Sequence, residues 1–91
     1  MLSIDDPYTR INASGALSRV AEDFPESVEQ FTPLFIELLS DEESLVRVNA
    51  CWALGHLRAR EAEPVLEQRA QDDENADVRT RASWALAQIE A

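Results

Sequence analysis

Apolar residues recur at helical spacing along most of the chain. Ala50, Ala53, Leu54 and Leu57 stand at i, i+3, i+4 and i+7, and so share one helical face. Ala82, Ala85, Leu86 and Ile89 repeat the arrangement, as do Ala13, Ala16, Leu17 and Val20. No stretch alternates with period two for long enough to make a strand, and Ala, Leu, Glu, Arg and Gln favour helix. The pattern predicts five helices, over about 7–23, 26–39, 44–59, 61–71 and 76–90. Pro7, Pro25, Pro33 and Pro64 each fall near the start of an apolar-periodic segment, where a missing N–H costs little. Asp23-Phe24-Pro25, Ser40 to Glu43 and Asp72 to Asn75 carry the turn chemistry between helices. Segment 26–39 is apolar on most of its circumference, which predicts burial from several sides. Segment 61–71 offers Ala62, Val65, Leu66 and Ala70, with Glu67, Gln68 and Gln71 outward.

The helices are copies of one unit. Arg10-Ile11-Asn12-Ala13-Ser14-Gly15-Ala16-Leu17 aligns with Arg47-Val48-Asn49-Ala50-Cys51-Trp52-Ala53-Leu54. Both align with Arg79-Thr80-Arg81-Ala82-Ser83-Trp84-Ala85-Leu86. Arg, Ala, a small residue, Ala and Leu keep their offsets in all three copies. A unit whose face carries two Ala and two large apolar residues cannot bury that face alone, so the units must stack. The expected fold is all-α: two and a half antiparallel helix hairpins in a right-handed stack. Its repeats span about 5–40, 41–72 and 73–91. The last helix lacks a following hairpin, which predicts a free edge without a polar cap.

These repeats resemble HEAT-like repeats of the short kind first described in phycobilisome-lyase-like proteins. The matching motif is Asp-x5-Arg leading into the Arg-x2-Ala-x2-Ala-Leu helix, as Asp41 to Arg47 and as Asp73 to Arg79. The first copy departs from it, because Ile4 stands six residues before Arg10. The resemblance implies that Asp41, Arg47, Asp73 and Arg79 form a structural ladder that ties each turn to the helix after it. It implies little about activity, since this architecture carries scaffolds, lyase chaperones and a few enzymes.

Charge narrows the field. Eighteen acidic against eight basic side chains leave a net charge of −10. That argues against nucleic acid, whose binders need Lys and Arg to displace phosphate counterions, and against an anionic membrane surface. All eight basic residues are Arg. With the acid excess, this composition resembles that of proteins from salt-loving archaea, whose carboxylated surfaces stay hydrated when salt screens their repulsion. One Cys gives no internal disulfide, no apolar run reaches membrane-spanning length, and Met1 to Arg10 lacks the regions of a signal peptide. The expected location is the cytoplasm.

Candidate chemistry is sparse. His56 has no second His or Cys nearby to complete a metal site, and it reads as a solvated surface residue. Cys51 aligns with Ser14 and Ser83 and reads as a small packing residue rather than a nucleophile or attachment point. The runs Asp41-Glu42-Glu43 and Asp72-Asp73-Glu74 precede helices, where carboxylates cap N–H groups, and they lack the spacing of a calcium loop. Trp52 and Trp84 share one repeat position, which makes them candidates either for a partner-gripping aromatic ridge or for packing under Arg stems. Glu37, Glu67, Gln68 and Gln71 are candidates for a polar binding face. The sequence therefore predicts no catalysis, no metal and no cofactor. It predicts a scaffold or adaptor that binds another protein, with self-association through an uncapped end as a further expectation. A chaperone-like subunit of a bilin or other cofactor lyase is the alternative.

Overall fold

A computed structural model describes residues 6–91. Ile4, the departure from the motif in the first copy, lies outside them. Helix α1 spans Pro7–Asp23, with Asp6 accepting the Tyr8 N–H at 3.0 Å as its N-cap. Pro25 has no N–H to offer the carbonyl of Ala21, and α1 ends there. The short α2 (Pro25–Val28) and a 3₁₀ turn (Glu29–Phe31) lead into α3 (Thr32–Leu38). Then come α4 (Ser44–Leu57), a second 3₁₀ turn (Arg60–Ala62), α5 (Glu63–Asp72) and α6 (Ala76–Glu90).

The continuous helix expected over 26–39 is thus broken, and the break has a definite cause. In an unbroken helix the N–H of residue 33 would bond the carbonyl of Glu29, but Pro33 has none and its ring crowds that carbonyl. Thr32 takes the vacated acceptor, its hydroxyl donating to the Glu29 oxygen at 2.7 Å. Pro64 acts similarly against Arg60, so the segment expected to begin at 61 opens as a 3₁₀ turn. Helix α4 stops two residues early, at Leu57. Arg58 adopts φ 51°, ψ 48°, while the N–H groups of Arg58 and Ala59 return to the carbonyls of Gly55 and Leu54. This is a left-handed C-terminal cap of the kind glycine usually provides.

Helices α1, α4 and α6 lie side by side as one layer, with α4 packed along both neighbours. In the second layer α3 packs on α4 and α5 on α6. The Cα extents are 37 × 31 × 17 Å, so the thin dimension holds two layers of helices. The repeated apolar face supplies the core: Ala50, Ala53, Leu54, Ala82, Ala85 and Ile89 are buried, and Phe35, Leu39 and Leu66 close it from the second layer. The apolar segment 31–39 is buried less completely than its composition suggested, because Phe31 and Leu34 remain 38% and 40% exposed. Helix α6 also has an exposed face. It exposes the small side chains of Thr80, Ser83 and Ala87. The large exposed apolar residues stand elsewhere: Tyr8, Val20, Phe24, Phe31, Leu34 and Leu45.

Candidate functional site

Arginine–aspartate pairs link the units. Arg47 reaches from α4 to the turn before α6, its Nε and Nη2 donating to the two Asp73 oxygens at 2.9 and 3.0 Å. This forked geometry fixes orientation as well as adding energy. Both side chains are buried, and Arg47 Nη1 also donates to the Asp41 carbonyl at 2.8 Å. Arg79 Nη1 does the same to the Asp73 carbonyl at 2.6 Å. Each aspartate accepts an N–H two residues on: Asp41 from Glu43 and Asp73 from Asn75, both at 2.9 Å. Asn75, not a carboxylate, caps α6 by accepting from Asp77 and Val78. Burial by itself would raise the Asp73 carboxyl. The hydrogen bonds from Arg47 and Asn75, with the charges of Arg47 and Arg69, outweigh it and hold the group below its ordinary 3.8.

Arg10 belongs to the same system and escaped the motif reading. Its Nε donates to Asp41 at 3.0 Å, and Nη2 reaches Glu42 at 3.4 Å. The three-copy alignment of Arg10 with Arg47 and Arg79 was the signal for it. Two cross-repeat rungs result, Arg10–Asp41 and Arg47–Asp73, the second the more deeply buried.

Trp52 and Trp84 stack between α4 and α6, ring centroids 4.8 Å apart and planes within 13°. The Arg81 guanidinium carbon lies 4.4 Å from the Trp52 ring centre, within cation–π range. Trp52 Nε1 donates to Glu22 on α1 at 3.0 Å. His56, expected as a solvated surface residue, is half-buried against both indoles, with ring centroids at 4.7 and 5.0 Å. Its Nε2 is buried without a hydrogen-bond partner. Gly55 makes the stack fit: a Cβ there would collide with the six-membered ring of Trp84.

A second surface lies between α1 and α3. Ala13, Leu17, Leu34 and Leu38 line an open groove of about 630 Å³, rimmed by Arg10, Glu37, Asp41 and Glu42. Glu37 is therefore at a groove edge, whereas Glu67, Gln68 and Gln71 are exposed on α5. The tryptophans belong to the layer of α1, α4 and α6, so these six residues do not converge on one site. Cys51 is fully buried; burial first, then the Asp73 charge, pushes its thiol up to about 12. A thiol in that setting is a poor nucleophile and a poor attachment point. Among the described residues no cluster of three or more His, Cys, Asp or Glu could hold a metal, and no helix is long and apolar enough to cross a membrane.

The chain has no match among curated proteins. A family model described as HEAT repeats matches residues 1–87. The paired layers of helices agree with that match, and the chain belongs to the HEAT-repeat family.

Proposed function

We propose that this domain is a non-catalytic protein-binding module, an adaptor whose surface is set before its partner arrives. HEAT repeats commonly mediate protein–protein interaction, and the observation that carries the reading here is the groove between α1 and α3. It offers four apolar side chains in a chain otherwise rich in carboxylates, with Leu34 40% exposed. An exposed apolar surface rimmed by polar groups is a common mark of an interface. The rungs at Arg10–Asp41 and Arg47–Asp73 support the reading, because a pre-ordered surface loses less entropy on binding.

The test is affinity capture of the tagged domain from lysate of its source organism, at that organism's internal salt, with mass spectrometry of the eluate. A heterologous protein held by the wild type and lost from a folded Leu34→Arg variant is the expected result. Recovery of the domain alone would overturn the reading. Equal capture by the variant would move the interface away from this groove.

A further inference from the structure

The repeat supplies a template for a site on the opposite layer. Gly15, Trp52 and Trp84 occupy one position of the aligned units. Between α4 and α6 that position is filled: the Trp52 indole lies in the groove, stacked on Trp84 and beside Arg81. Between α1 and α4 the same position is Gly15, and no side chain fills the groove. A solvent-open cavity of about 730 Å³ is there instead, lined by Gly15, Val48, Asn49, Trp52, Arg19 and Arg81 among others. Asn49 is pinned beside it, donating to Ser14 Oγ at 3.1 Å. A Cβ on Gly15 would meet only Asn49 Nδ2, at an ordinary 3.5 Å, so the space above the glycine is not needed by the fold.

We propose that this slot receives one aromatic side chain from an acidic segment of a partner protein, which stacks on Trp52 as Trp52 stacks on Trp84. The inference rests on the protein-binding reading and gives it a second contact. Charge selects the occupant. Arg19 and Arg81 are the charged residues of the lining, and among the described residues neither forms an ion pair. Glu22, which accepts from Trp52 Nε1 at 3.0 Å, offsets one of them, so beside the Trp52 ring the two arginines leave a local excess of one positive charge in a chain of net −10. Tryptophan and arginine around a recess are also the residues that most often carry binding energy.

The probe is a short peptide with a central tyrosine flanked on each side by two glutamates. Binding is read from the fluorescence of Trp52 and Trp84, the two tryptophans of the chain. It is located by amide and indole NMR shifts. Saturable binding that shifts the Gly15 amide and the Trp52 indole N–H is expected. Lysine flanks should weaken it roughly tenfold, and alanine in place of the tyrosine should abolish it. Gly15→Trp should melt cooperatively and lose the peptide, because its own indole fills the slot. No binding by the wild type, equal binding by the alanine peptide, or retained binding by a folded G15W would overturn the proposal. A second copy is the rival occupant, through Phe24, which is 64% exposed beside Asp23. A wild-type dimer in sedimentation that Phe24→Ala returns to monomer would assign the slot to self-association and overturn the partner peptide. A partner captured from lysate by both wild type and G15W would leave the protein-binding reading standing while the slot fails.

Discussion

Asp73 is the residue on which the stack turns. Its carboxylate answers a guanidinium that is 6% exposed, so removing the charge strands Arg47 in the interior. Asp73→Asn should destabilise the domain by about 3 kcal/mol, measured by urea denaturation at neutral pH. Asp41→Asn should cost about 1 kcal/mol, because the Arg10–Asp41 rung is closer to water. The D73N penalty should also depend on pH. The folded state holds this carboxyl below its ordinary 3.8, so the ionised form is favoured by folding. Its contribution is full above the ordinary value and is lost as pH falls through the folded one. Wild type and D73N should therefore converge in stability as pH is lowered below about 3.8. A gap that stayed constant down to acid unfolding would mean that packing, not charge, holds this rung.

Two neighbouring positions at the end of α4 oppose local propensity in opposite senses. Arg58 is exposed and sits at φ 51°, where a side chain costs about 1 kcal/mol. Arg58→Gly relieves that strain but loosens the unfolded chain by about half as much, and the net expectation is a melting temperature raised by about 2 °C. Gly55 is the reverse case. Helix propensity favours alanine over glycine within a helix by up to about 1 kcal/mol, yet the added methyl would drive into Trp84. Gly55→Ala should destabilise by about 2 kcal/mol, and the loss should shrink in a Trp84→Ala background. An unchanged loss there would place the conflict with the α6 backbone instead. These elements also mark how far the sequence could be read. Periodicity located the helices because burial of one face repeats every turn. The break at Glu29–Phe31 needed the acceptor opposite Pro33 to be traced, which periodicity does not do. The end of α4 was misplaced because Arg58, not glycine, takes the left-handed cap. The Gly55–Trp84 and Trp52–His56 contacts depend on how helices and side chains meet across the stack, so His56 could not be recognised as an aromatic neighbour.

At the scale of the whole molecule, the opposition is between a few well-placed pairs and a large surplus of one sign. The repeat architecture was legible because three copies of one face demand stacking. No single candidate surface was legible, because the candidate polar residues fall on separate helices, and the cavity beside Gly15 emerges only once the Trp52–Trp84 stack is seen. The surplus itself makes a prediction. Among the described residues the ion pairs engage Arg10, Arg47, Arg60 and Arg69. Their acidic partners are Asp41, Glu42, Glu63 and Asp73, in a chain with eighteen acidic against eight basic side chains, so much of the surface repels itself. Raising ionic strength from about 0.1 M to about 1 M shortens the Debye length from about 10 Å to about 3 Å. That screens repulsion between exposed carboxylates but scarcely weakens Arg47–Asp73, which is out of the solvent. Stability should therefore climb with KCl through the molar range, read as melting temperature by circular dichroism. D73N should climb in parallel, offset downward by its lost rung. A melting temperature flat or falling with KCl would show that the carboxylate surface is not under strain at low salt. It would also remove the argument for a chain adapted to salt.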